Sequence, residues 1–97
     1  MSTALETQTT TKLKTPSLYK VVLLNDDFTP FDFVIRVLGE IFGKTYAEAD
    51  VIAQRIHSQG KGIVGTYTKE VADQKVYETS SAAKRFGHPL AAKVELA

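Results

Sequence analysis

Apolar positions along the chain gather into six stretches, and their spacing switches between strand-like and helix-like patterns. Tyr19, then Val21 to Leu24 after Lys20, make a short apolar run that stops at Asn25, Asp26 and Asp27. A run of this length bounded by turn-forming residues predicts a buried strand over Tyr19 to Leu24. Val21 and Leu23 fall on one of its faces, Val22 and Leu24 on the other. Thr29 before Pro30 predicts a helix start, because a hydroxyl can cap free N–H groups and proline at the first helical position forfeits no hydrogen bond. Phe33, Val34, Val37, Leu38, Ile41 and Phe42 then recur at spacings of one, three and four, an apolar stripe that predicts a helix from Pro30 to about Phe42. Gly43 is its expected left-handed stop.

Thr45 and Glu48 have the T-x-x-E spacing of a capping box and open a second helix, in which Ala49, Ile52, Ala53 and Ile56 share a face. His57 falls in its last turn, and Gln59 and Gly60 end it. A strand is predicted from Ile63 to Thr68. Thr68 is placed to cap a third helix carrying Val71, Ala72, Val76, Ala83 and Phe86, with Gly87 as its stop. After His88 and Pro89, the residues Leu90, Ala92, Val94 and Leu96 alternate with Ala91, Lys93 and Glu95, as in a strand with one wet face. The order β, α, α, β, α, β predicts an α/β (α+β) domain: a two-layer sandwich of three helices on a three-stranded antiparallel sheet. Residues 18–97 form this domain. Residues 1–17 carry six threonines, few large apolar residues and no periodicity, and are expected to be a flexible N-terminal extension.

With 97 residues there is room for one small domain and no second catalytic one. Twelve basic against eleven acidic residues give a net charge of +1, so no general attraction to nucleic acid or to anionic membranes is expected. The chain has no cysteine, which excludes disulfides and thiolate chemistry and suits a reducing compartment. No apolar run approaches the ~20 residues of a membrane span, and no basic segment leads into an apolar one at the N-terminus. A cytoplasmic protein is the expectation. There is no Gly-rich phosphate loop, G-x-S-x-G, C-x-x-C or H-E-x-x-H pattern, and neither a cofactor nor a catalytic residue is expected.

The remaining candidates lie around the first turn. A short connection between the first two helices makes them antiparallel, which brings His57 beside Asn25, Asp26 and Asp27. Each has an ordinary reading as a turn, solvated or helix-terminal residue. As a group they admit three functions. Two carboxylates and an imidazole can bind a divalent ion, although the Asn-Asp-Asp turn lacks the spacing of a calcium loop. An Asp–His pair can act as general acid and base, although no nucleophile stands in a recognised context. Finally, the cluster can receive a cationic amine at the mouth of an apolar hole, since a free α-amino group (pKa roughly 7.7 to 8) is mostly charged at neutral pH and offers three donors.

The segment LYKVVLLNDDFTPFDFVIRVL, the histidine before S-Q-G-K at His57 to Lys61, GTYTKEVADQK from Gly65 to Lys75 and the closing GHPLAAKVE together resemble the ClpS family, the bacterial N-end-rule adaptors of the Clp protease. The likeness runs from Pro16 to the end. It implies a non-enzymatic adaptor that captures proteins with a bulky N-terminal Leu, Phe, Tyr or Trp and hands them to the ClpA unfoldase of ClpAP. By position, Asn25, Asp27 and His57 are then the groups that hold the α-amine, with Asp26 beside them. Leu23, Leu24, Thr29, Phe31, Val34, Ala53, Ile56 and Leu90 are the hydrophobic pocket, and Glu70 and Lys75 dock on the ClpA N-terminal domain. The extension would engage the unfoldase during delivery. Most members of the family carry methionine at the positions of Phe31 and Ala53, which implies an altered ranking of N-terminal residues. A divergent ClpA-docking modulator with weak or lost N-degron recognition is the alternative.

Overall fold

The computed structural model describes residues 16–97; the expected N-terminal extension lies, but for its last two residues, outside them. The elements are β1 (Leu18–Leu24), α1 (Phe31–Glu40), α2 (Tyr46–Gln59), β2 (Lys61–Thr68), α3 (Lys69–Arg85) and β3 (Ala91–Leu96). Three helices cover one face of a three-stranded antiparallel sheet in the order β2-β1-β3. The expected architecture is therefore the observed one, with the first strand at the centre.

Position in the sheet explains why β1 is apolar on both faces. Val21 and Leu23 belong to the main core with Val37, Leu38, Ala53 and Ile56. Val22 points the other way and is nonetheless buried, flanked by Lys20, Lys61, Ile63 and Glu95 around a shallow hollow on the outer face. In β2, Val21 lies opposite Gly65 and Val22 opposite Ile63, so Val64 is the extra residue of a bulge. Two residues in this strand must stay small. A Cβ on Gly62 would sit 2.8 Å from Cγ1 of Ile56, and one on Gly65 would collide with the ring of Tyr67.

Helix ends follow local chemistry, with two corrections. The Thr45–Glu48 capping box forms in full: Glu48 N–H donates to the Thr45 hydroxyl (3.1 Å), and Thr45 N–H donates to the Glu48 carboxylate (2.9 Å). Gly43, Gly60 and Gly87 all adopt positive φ, as expected of helix stops. Thr29, however, does not cap α1. Pro30 occupies the N-cap and its carbonyl accepts from Phe33 and Val34 N–H, while the Thr29 hydroxyl is taken by Asp26. Thr68 holds the N-cap of α3, but its side chain makes no capping bond.

The third helix buries Ala72 and Ala83 as its periodicity predicts, but departs from it elsewhere. Val71 and Phe86 are largely exposed, whereas Thr79 is fully buried, its hydroxyl satisfied by donating to the Lys75 carbonyl (2.9 Å). Phe86 lies against Phe33, ring centroids 5.7 Å apart, beneath the Arg36 guanidinium.

Candidate functional site

The turn between β1 and α1 is held from two directions. Asn25 N–H donates to the Gly60 carbonyl (2.9 Å), which ties the end of β1 to the end of α2. Within the turn, one carboxylate oxygen of Asp26 accepts from Phe28 N–H (2.8 Å) and Thr29 N–H (2.7 Å), and the other from the Thr29 hydroxyl (2.7 Å). Partial burial pushes the Asp26 carboxyl up. The bonds from Thr29 and Phe28, together with the nearby His88, outweigh that and hold it below the usual carboxylate value.

These restraints leave a cleft between the turn, α1 and α2. A cavity of about 380 Å³ is lined by Asn25, Asp26, Asp27, Thr29, Phe31, Val34, Ala53, Ile56 and His57. A hollow of about 20 Å³, lined by Leu24, Thr29, Val34, Ile56 and Leu90 among others, adjoins it. All but one of the residues proposed for the amine site and hydrophobic pocket thus line one of these two spaces. Leu23 does not: it is 0 % exposed and belongs to the core beneath. The reason is strand alternation, which sends Leu23 under the helices and leaves Leu24 half-buried at the strand end.

The cavity has a polar mouth and an apolar interior. Asn25, Asp27 and His57 are exposed, and no hydrogen bond among the described residues engages their side chains. Val34, Ala53 and Ile56 are buried, and Phe31 is 43 % exposed at the rim. Among the described residues, no group of three or more His, Asp or Glu side chains is arranged to hold a metal ion. A larger hollow of about 470 Å³, at Lys44, Ala47, Glu48, Val51 and Ile52, has no comparable convergence of free acceptors, since Glu48 is engaged by Thr45.

Sequence reasoning did not anticipate Phe28, which stands 80 % exposed in this turn. Nothing in the periodicity marks an apolar residue for exposure, and its location between Asp27 and Thr29 was the only available sign.

The model of the family described as "ATP-dependent Clp protease adaptor protein ClpS" matches residues 14–93. The chain belongs to the ClpS family. The ClpS adapter of Helicobacter hepaticus is 49% identical over 88 residues, covering 91% of this chain and 89% of that protein. The one from Deinococcus radiodurans is 48% identical over 80 residues, 82% of this chain and 71% of that protein. Among solved structures, Agrobacterium tumefaciens ClpS2 bound to L-phenylalaninamide superposes with a TM-score of 0.83 at 34% identity, covering 86% of this chain and all of that one. The protein is thus a ClpS adaptor of the Clp protease.

Within this ClpS fold, the two residues assigned by resemblance to unfoldase docking lie on α3. Glu70 is exposed in its first turn. Lys75 is half-buried, and its ammonium donates to the Ile41 carbonyl (2.7 Å) at the end of α1, a cation placed on a helix C-terminus. Lys75 therefore has a structural duty that its surface position in the sequence did not disclose. Among the described residues, no helix is long and apolar enough to cross a membrane.

Proposed function

We propose that the cleft receives the first residue of an N-degron. The α-amine is held by Asn25, Asp27 and His57, and the side chain by Leu24, Thr29, Phe31, Val34, Ala53, Ile56 and Leu90. One observation carries this reading: three unspent polar side chains stand at the mouth of a cavity also lined by Phe31, Val34, Ala53 and Ile56. Its volume of about 380 Å³ is near the small end of the ~300–1,000 Å³ typical of ligand sites, a size suited to one residue. The ligand of the Agrobacterium tumefaciens relative, L-phenylalaninamide, has the same chemistry, a free amine beside an aromatic side chain. Asp26, whose oxygens are both occupied, positions the loop and does not bind the amine directly.

The energetics divide the work. Burying a leucine-sized side chain contributes about 1.5 to 3 kcal/mol, less than association costs in lost freedom. Charge-assisted hydrogen bonds of roughly 1.5 to 3 kcal/mol each supply the remainder. They also reject acetylated and internal residues, which would strip water from Asp27 and His57 without satisfying them.

The protein acts as a non-enzymatic adaptor in the cytoplasm. It presents substrates with N-terminal Leu, Phe, Tyr or Trp to the N-terminal domain of ClpA, for which Glu70 and the exposed surface around Lys75 form the docking site. Calorimetric titration with L-phenylalaninamide and with its N-acetyl derivative tests the amine site. Binding of the free amine alone is expected. Equal binding of both, or of neither, would contradict the reading, and the second outcome would favour a ClpA-docking modulator without N-degron recognition.

A further inference from the structure

We propose that β3 is a self-complementary edge at which two copies of this chain join their sheets about a two-fold axis through Val94. Among the described residues, β3 is an outer strand, paired with β1 alone. The opposite edge, β2, carries the bulge at Val64, a device that discourages strand addition. β3 has none. It pairs with β1 without a shift of register and contains no proline.

The direction of its free backbone groups follows from one bond. Ala97 N–H donates to the Leu18 carbonyl (3.0 Å), so Ala97 turns its backbone toward β1. The alternation of an antiparallel ladder gives Ala91, Lys93 and Glu95 the same orientation. Ala92, Val94 and Leu96 consequently present their N–H and C=O groups to the open edge.

A second antiparallel β3 engages all of these groups when the axis passes through Val94. Val94 then faces its own twin, and Ala92 faces Leu96 of the other copy, each as a hydrogen-bonded pair. The same register sets Lys93 opposite Glu95 of the other copy, twice, as non-hydrogen-bonded neighbours with Cβ atoms about 4.5–5.5 Å apart. Moving the axis to Lys93 or to Glu95 sets like charges face to face and leaves Leu96 or Ala92 outside the ladder. Charge and hydrogen-bond parity therefore select one arrangement. Glu95 already lies 2.9 Å from Lys93 and 3.8 Å from Lys20 of its own chain, so it stays among cations on both sides of the interface. On the helix side of the sheet, Ala92 of the second copy covers Leu96, which is otherwise 62 % exposed. The cleft is built by the first turn, α1 and α2, and the proposal does not rest on what the cleft binds.

An interface of this size is weak and transient. Sedimentation equilibrium of the full chain from about 10 μM to about 1 mM, the range such an interface requires, is expected to show a monomer–dimer equilibrium. Lys93→Glu, which sets glutamates against each other twice, is expected to weaken it at least about tenfold. The double exchange Lys93→Glu, Glu95→Lys is expected to restore it. A monomer mass at every concentration overturns the proposal. So does a dimer that Lys93→Glu leaves intact, or one that the exchange fails to restore. Protection of the Ala92, Val94 and Leu96 amides from hydrogen exchange in dilute monomer would assign the edge to the chain's own N-terminal arm and would equally overturn it.

Discussion

Asp26 spends both carboxylate oxygens on Phe28 and Thr29, whereas the adjacent Asp27 is exposed at the cavity mouth. Two neighbouring aspartates should therefore fail differently when truncated. Asp26→Ala is expected to cost about 1–2 kcal/mol in urea unfolding, because it frees two N–H groups and a hydroxyl. Asp27→Ala should leave unfolding within about 0.5 kcal/mol of the wild type and abolish binding of peptides with bulky N-termini. The pH dependence of Asp26 has a definite sign. Its folded pKa lies below its ordinary value, so its contribution is complete above the usual carboxylate range near pH 4 and is lost as pH falls through the lowered value. Urea midpoints measured across that range should fall with acid in the wild type and fall less in Asp26→Asn. At the rim, Phe31 and Ala53 should rank the aromatic and aliphatic ends differently from a Phe31→Met, Ala53→Met double variant. Indistinguishable affinities of the two proteins for Leu, Phe, Tyr and Trp peptides would refute that.

The elements that the sequence made legible are those governed by contacts within a turn or two. The stripe of α1, the capping box of α2 and the three glycine stops are local, and the structure reproduces them. What depends on a third element was hidden. Periodicity cannot reveal that Asp26 captures the Thr29 hydroxyl, that Lys75 reaches back to Ile41, or which side of β1 the helices cover, the side that takes Leu23, assigned to the pocket by resemblance, into the core. The clearest dependence between elements is the seat of α2 on Gly62. Gly62→Ala drives a methyl into Ile56, so α2 must shift. The variant is expected to lose roughly 1–3 kcal/mol of stability, and to lose peptide affinity as well because Ile56 and His57 move together. Unfolding and binding measured on one preparation check both losses.

Across the whole molecule, the fold places the Asn25–Asp27 turn where three elements meet: the end of the central strand, the start of α1 and the end of α2. That junction was legible in outline, because antiparallel helices with a short connection bring His57 back to Asn25. The bond from Asn25 to the Gly60 carbonyl, which ties the turn to the end of α2, was not. A site that depends on a charged amine should also weaken as pH rises past the amine pKa of roughly 8. The central claim, that this junction reads a free N-terminus and its side chain together, is tested most directly by fluorescence anisotropy of labelled peptides that differ only at their first residue. Leucine and phenylalanine ends should bind, alanine and acetylated leucine ends should not, and Asp27→Ala should abolish binding. Binding that ignores acetylation, or that survives Asp27→Ala unchanged, would contradict the account.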